Sequence, residues 1–132
     1  MLTKKTVSIV FTFIVALLYL LFEENIPFKK LSTSSHNEKY YQTKMCNKLG
    51  GEMEVVLEDR ARIDCLTSEY AIEVDFAKKW AEGIGQSLYY AEMSGKKPAV
   101  GLISGTDDKK FINRLETVAK KHNIKVIIID EE

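Results

Sequence analysis

Apolar residues first form one unbroken run and then recur with the periods of strands and helices. Residues 7–22 contain no charge, glycine or proline. Beyond residue 40, apolar positions alternate with a period of two in some segments and follow helical spacing in others. The pattern predicts helices over residues 40–49, 78–94 and 106–122, and strands over residues 53–57, 62–66, 70–76, 98–103 and 124–129.

The predicted element order is α-β-β-β-α-β-α-β. A three-strand meander followed by a crossover helix and another strand implies a mixed sheet with helices on both faces, and so the α/β class. The last strand, residues 124–129, is apolar enough to be buried on both faces. Gly83 and Gly85 lower the propensity of the second helix, and we expect them to allow a close approach to the sheet.

The N-terminal run is at the short end for crossing a bilayer, and Lys4 and Lys5 precede it. We interpret residues 1–24 as an uncleaved signal anchor contacting the membrane through residues 6–22. A cleaved signal peptide and a buried helix of a soluble domain are the alternatives. Residues 25–39 are expected to be a linker and residues 40–132 the folded domain.

The positive charges before the run favour an orientation with the C-terminal domain outside the cytoplasm. The expected localisation is therefore a single-pass membrane protein, with a secreted or periplasmic protein after signal cleavage as the alternative.

The chain has two cysteines, Cys46 and Cys65, without the spacing of a metal site. In an exported domain they could form a disulfide, whose loop would contribute about 3 kcal/mol in the chain-entropy model. In a reducing compartment they would be buried thiols.

The formal net charge is +0, with 19 basic and 19 acidic residues. This balance gives no global attraction to nucleic acid, so any such contact must come from a local basic patch.

Acidic side chains converge on two adjacent predicted strands. Strand alternation puts Asp64 on one face of its strand and Glu73 and Asp75 together on one face of the next. Carboxylates that meet in this way repel and raise each other's pKa unless a cation neutralises them. A hard cation such as Mg²⁺ or Mn²⁺ is the expected cofactor.

The following helix presents polar residues in one row. Lys79, Glu82, Gln86 and Tyr90 recur at i, i+3, i+7 and i+11. The row begins beside the end of the acidic strand, so Lys79 can reach the acids and orient a water or neutralise a phosphoryl transition state. Gln86 and Tyr90 could contact a phosphate or a sugar. The same row is also common on a merely solvated helix face.

This combination resembles the PD-(D/E)xK nuclease superfamily, which includes archaeal Holliday-junction resolvases and RecB-type nuclease domains. Asp64 matches its first acid, Glu73 its second, and Gln86-x-x-x-Tyr90 its QxxxY element. The resemblance spans residues 40–104 and implies a restriction-endonuclease-like fold. It also implies a metal held by Asp64, Glu73 and the carbonyl of Val74.

The sequence departs from that family where its lysine should stand, because this position is Asp75. Some related nucleases have moved the lysine to the next helix, and Lys79 (or Lys78) matches that arrangement. Arg62 resembles a basic residue found before the first acid. The resemblance implies a metal-dependent phosphodiesterase acting on nucleic acid, exported or membrane-anchored. The alternative is a catalytically inactive fold that serves as a binding module.

Overall fold

The computed structural model describes residues 12–15, 17, 18 and 36–132. The chain divides into two compact units, Met1–Thr33 and Ser34–Glu132. In the first unit, residues 12–15, 17 and 18 are helical and exposed.

The predicted membrane localisation needs correction. Within the described ranges, no helix has both the length and the apolar character needed to cross a bilayer. The prediction of a single-pass protein with its C-terminal domain outside the cytoplasm is therefore wrong on this finding, and so is membrane contact through residues 6–22. The rest of the run, the signal-cleavage alternative and most of the predicted linker lie outside the described residues.

The second unit contains three helices, five strands and one short 3-10 turn. In chain order they are α1 (Glu38–Leu49), β1 (Glu52–Val56), β2 (Arg62–Leu66), β3 (Tyr70–Phe76), the 3-10 turn (Ala77–Lys79), α2 (Trp80–Ser94), β4 (Lys97–Ser104), α3 (Lys109–His122) and β5 (Lys125–Asp130). The predicted order of elements is thus confirmed.

The strands form one mixed sheet in the order β1-β2-β3-β4-β5. The first three strands are antiparallel neighbours, and β3, β4 and β5 run parallel to one another. This arrangement confirms the mixed α/β sheet. It also brings the carboxyl ends of β3 and β4 to the same edge, because Phe76 pairs with Ile103.

Helix α1 covers one face of the sheet. Tyr41, Met45 and Cys46 are buried there against Ile72 and Val74 of β3. Cys46 is joined to Cys65 of β2 by a disulfide. A Cβ at Gly51 would lie 2.6 Å from the sulfur of Cys65, so only glycine fits beside this bond.

Helices α2 and α3 cover the opposite face. Val100 and Leu102 of β4 are fully buried there with Leu115 of α3. Gly83 of α2 approaches closely, since a Cβ on it would lie 3.3 Å from Val100. The expected close approach therefore holds for Gly83. It does not hold for Gly85, which has open space around its Cβ position.

Three boundaries or environments differ from the sequence prediction. Helix α1 begins at Glu38, because the Asn37 side chain caps it by accepting a hydrogen bond from the Tyr40 N–H. Helix α3 begins at Lys109 rather than 106, since the Asp108 carboxylate accepts from the Gly105 N–H in the preceding turn. Strand β5 is not buried on both faces: it is an edge strand, and Ile128 is 42% exposed.

Candidate functional site

The site begins where β2 and β3 separate. The two strands pair at Cys65 with Ile72 and at Leu66 with Ala71, and the ladder then ends. One step further, the Val74 N–H donates a hydrogen bond of 2.8 Å to Oδ2 of Asp64. A side-chain carboxylate thus takes the place of a strand carbonyl, and this opens a gap between the strands.

The backbone of Val74 faces this gap. Both main-chain polar groups of a strand residue point toward the same neighbouring strand. Since the Val74 N–H reaches Asp64, the Val74 carbonyl points toward the same side. A main-chain oxygen and the Asp64 carboxylate therefore lie on one side of β3.

Glu73 lies next to Asp64 and is almost fully buried. Its side chain is 7% exposed, and its Oε2 has no hydrogen-bond partner among the described residues. Burial, and then the neighbouring Asp64 and Asp75 carboxylates, raise the pKa of Glu73 to about 9. Burial also raises the pKa of Asp64. The two carboxylates are poorly solvated and close together. Both are therefore ionised near neutral pH only if a cation is bound beside them.

Lys79 contacts the acidic strand β3 at Asp75. Its Nζ lies 3.3 Å from Asp75 Oδ1 and 3.9 Å from an oxygen of Glu38. Burial raises the pKa of Asp75 to about 6, although Lys79 opposes this rise. The second oxygen of Asp75 is buried and faces Gly83 of α2, and within the described part of the chain it has no hydrogen-bond partner. The sequence predicts that Lys79 reaches Asp64 and Glu73; in the structure, the β3 acid that it contacts is Asp75.

Gln86 and Tyr90 occupy the next turns of α2. Burial, and then the charges of Glu73, Asp64 and Asp75, raise the pKa of Tyr90 to about 12. The Gln86 side chain is half-buried, and its Oε1 has no partner in the part of the chain described. Of this pair, Tyr90 lines the cleft described below and Gln86 does not.

Glu54 and Gln42 belong to the site but were missed by the sequence prediction. The Gln42 amide donates to Oε1 of Glu54 and to the main-chain carbonyl of Asp64, both at 2.8 Å. Glu54 stands opposite Asp64 in the β1–β2 register and has a φ of 58°. Such a left-handed backbone costs a non-glycine residue on the order of 1–3 kcal/mol. Strand periodicity contains no signal for a strained residue of this kind.

Glu54 also holds two cations at the surface. Its carboxylate contacts Lys39 Nζ at 2.6 Å and Arg62 Nη1 at 3.2 Å. These contacts, the Lys39 and Gln42 hydrogen bonds foremost, lower the pKa of Glu54. Arg62, which the sequence predicts to contact the substrate, therefore lies beside the site. Its guanidinium is paired with the Glu54 carboxylate.

Glu38 is a further acid that the sequence prediction missed. It lies in the first turn of α1, near Lys79, and burial raises its pKa while Lys79 opposes this. A single acid in a first turn usually reflects the helix dipole, so the sequence offered no distinct signal.

Part of this site borders one open cleft of about 660 Å³, whereas Glu73, Asp75 and Lys79 are not among the residues that line it. It is lined by Glu38, Lys39, Gln42, Glu54, Arg62, Asp64 and Tyr90. Acids occupy its floor and two cations stand at its rim. Phosphate oxygens would be repelled from such a floor unless a cation were bound there.

The acidic residues would supply only part of the coordination shell of a metal ion. Among the described residues, no group of three or more acidic, histidine or cysteine side chains is arranged to hold an ion. Asp64, Glu73 and the Val74 carbonyl form a smaller set of two carboxylates and one main-chain oxygen. Mg²⁺ commonly uses one or two carboxylates and keeps waters or phosphate oxygens. The unpartnered Oε2 of Glu73 fits this need for an added positive charge.

Comparisons with known proteins do not assign the chain to a family. No family model matches the chain, and no solved structure matches it. The chain is similar to the putative KilA-N domain-containing protein L33 of Acanthamoeba polyphaga mimivirus, at 36% identity over 104 residues. The match covers 75% of this chain and 39% of the viral protein. The chain thus spans well under half of that relative, whose name describes the whole viral protein.

Proposed function

We propose that the C-terminal domain is a divalent-metal-dependent phosphodiesterase that acts on nucleic acid, with a restriction-endonuclease-like core. The observation that supports this most is the position of Lys79 Nζ, 3.3 Å from Asp75. It brings an ammonium to an acidic cluster that already contains Asp64 and Glu73. This is the combination that the PD-(D/E)xK resemblance requires despite the missing lysine on β3.

Asp64, Glu73 and the Val74 carbonyl would hold the metal, either Mg²⁺ or Mn²⁺. When bound, the ion would supply Lewis-acid polarisation of the phosphate and lower the pKa of an attached water. Asp64 lines the open cleft, whereas Glu73 and Val74 are buried beside it, so an ion would enter past Asp64. Burial of Glu73 strengthens the attraction for a cation, because the carboxylate is poorly solvated without one.

The chain's own residues would then position the phosphodiester. Lys79 would neutralise charge developing on the phosphoryl oxygens, where preorganised cations contribute most in a water-poor site. Arg62 and Tyr90 would contact the flanking phosphate or sugar from the rim of the cleft. Gln86 would serve the same purpose only after its side chain turned toward the cleft.

The viral relative adds separate support for a nucleic-acid partner. Its name indicates a KilA-N domain, and that domain points to DNA binding. The support is limited to this level, because the chain covers 39% of that protein.

The second candidate is a nuclease-like fold that binds nucleic acid without cleaving it. The absence of a three-ligand acidic group among the described residues favours it. An acidic floor without a metal would repel phosphates, so this module would bind through another surface. The two candidates therefore differ in whether divalent metal strengthens the interaction at the cleft.

The test is cleavage of supercoiled DNA and of labelled RNA by the full chain, with Mg²⁺, with Mn²⁺ and with EDTA. The proposal expects strand breaks only with a divalent metal. No breaks under any condition, together with binding unaffected by metal, would establish the second candidate instead.

A further inference from the structure

Basic residues gather at the beginning of α3, outside the cleft. Lys109 and Lys110 lie in its first turn and Arg114 one turn later, all exposed. The six ion pairs found within the described residues leave these three without a carboxylate partner. Lys78, in the 3-10 turn, is likewise exposed and outside those pairs. We call these four residues the basic patch.

Helix stability does not explain the two lysines. Cations in the first turn oppose the helix dipole and typically cost about 0.3–1 kcal/mol each. Asp108, which could offset them, directs its carboxylate to the Gly105 N–H at 3.0 Å. By contrast, Lys120 and Lys121 lie in the last turn, where the dipole favours them. Lys109 and Lys110 therefore break a local rule, as residues with a binding role often do.

The Phe111 ring organises two of these charges. Lys110 Nζ lies 4.9 Å and the Arg114 guanidinium 5.9 Å from the ring centroid. An aromatic face attracts cations without neutralising them. Two positive charges are thus held side by side and remain available to an anion.

The patch and the ion pair of Asp75 and Lys79 lie at one edge of the sheet. Phe76 and Ile103 pair across β3 and β4, so the elements that follow them, including Lys79 and the start of α3, emerge at this edge. Ala77 and Leu115 are buried in one cluster, which fixes α3 against the 3-10 turn. A polyanion held at the acidic cluster through a metal would therefore have cations along its continuing path.

A nucleic-acid backbone fits this patch better than an anionic membrane does. A membrane-binding amphipathic helix needs an apolar face free to enter the lipid. The apolar face of α3 is already used, since Leu115 and Ala119 are buried against the sheet. A phosphate backbone requires only exposed cations, and a chain of net charge +0 must concentrate them locally.

We propose that the basic patch binds the phosphodiester backbone of the nucleic acid whose neighbouring phosphate is held at the acidic cluster. This inference rests on the proposed function. It assigns to α3 a contact with the nucleic-acid backbone that is independent of the base sequence.

The experiment measures binding by fluorescence anisotropy in EDTA, where no metal-dependent cleavage occurs. The probes are a short labelled duplex and a single strand, each in DNA and RNA form, at several salt concentrations. The test variant is Lys110→Gln/Arg114→Gln. The matched control, Lys48→Gln/Arg60→Asn, removes one lysine and one arginine from exposed positions on α1 and the β1–β2 turn. Urea unfolding confirms that both variants fold.

The test variant should lose several-fold in affinity, and its salt slope should fall by about 1.8, or about 0.9 per lost duplex contact. The control should keep the wild-type slope. Equal losses in both variants would mean that only overall charge matters and would overturn the proposal, as would unchanged binding in the test variant. Wild-type binding to anionic phospholipid vesicles but to no nucleic acid would also overturn it.

The two proposals fail separately. Binding that depends on the patch, with no cleavage in Mg²⁺ or Mn²⁺, would overturn the proposed function alone. Metal-dependent cleavage by a chain whose patch variant binds normally would overturn this inference alone.

Discussion

The ammonium of Lys79 and the carboxylate of Asp75, four residues apart in the sequence, form an ion pair at 3.3 Å. Asp75 occupies the β3 position where the PD-(D/E)xK pattern that the sequence resembles has a lysine. The 3-10 turn after β3 folds the chain back, so the residue four positions later lies over that acid. Under the proposed function, the turn after β3 supplies the positive charge that the strand lacks.

Replacing Lys79 tests whether it takes the role of the lysine that β3 lacks. Lys79→Ala should lower kcat about 100-fold or more, because it removes a cation expected to act on the transition state. Lys78→Ala should instead act mainly on KM, since Lys78 belongs to the basic patch. Steady-state kinetics on the same labelled substrate separates the two effects. Equal changes in kcat for both variants would remove the special role of Lys79.

The stability of the metal-free protein should fall as pH rises. The unfolded chain releases the Glu73 proton near its ordinary pKa of 4.5, whereas the folded protein keeps it up to about pH 9. The folded state thus holds an extra proton between these values, and each such proton makes stability fall by about 1.4 kcal/mol per pH unit. Asp75, whose pKa in the folded protein is about 6, adds to this pH dependence of stability mainly below pH 6.

Urea unfolding in EDTA between pH 6.5 and 9 measures this loss. Glu73→Gln should flatten the dependence, whereas Glu52→Gln on the exposed end of β1 should keep it. A wild-type protein whose stability is constant over this interval would show that Glu73 is already ionised.

The two glycines of α2 should respond oppositely to alanine. Gly85→Ala should stabilise the protein by up to about 1 kcal/mol, because its Cβ would enter open space and alanine favours a helix. Gly83→Ala should lose that gain, since its Cβ would lie 3.3 Å from Val100 and 3.6 Å from Asp75. Urea unfolding of both variants provides the comparison. Equal stabilisation would mean that α2 is not held tightly over Asp75.

The disulfide should stabilise the domain and hold α1 beside the site. Cys46→Ala/Cys65→Ala should lose about 3 kcal/mol in the chain-entropy model. Gly51→Ala should also destabilise it, because its Cβ would lie 2.6 Å from a bonded sulfur. Thiol titration of the denatured, non-reduced protein should find no free cysteine. Two free thiols would show that the bond does not form.

The element order and the facing of β3 could be predicted because alternation and helical spacing are local properties. Glu73 and Asp75 fall opposite Ile72 and Val74 in the sequence, and the structure buries the two pairs on different faces. The meeting of Lys79 with the acidic strand was also predictable from its position at the strand's end.

The remaining part of the site depends on contacts that are distant in sequence. Gln42 reaches Asp64 and Glu54 only because α1 crosses the sheet at that point. The left-handed backbone of Glu54 corresponds to no residue preference of glutamate. The exposure of Ile128 has a similar origin, since an apolar strand can still be placed at an edge.

The most direct test of a metal-dependent phosphodiesterase is the single-turnover cleavage rate of Asp64→Asn relative to wild type in Mg²⁺ or Mn²⁺, with Glu52→Gln as the matched carboxylate control. Asp64→Asn should cleave about 100-fold more slowly or not at all, since a metal ligand is lost, while the control should match wild type. An Asp64→Asn protein that folds and cleaves at the wild-type rate would contradict a metal-dependent mechanism at this site.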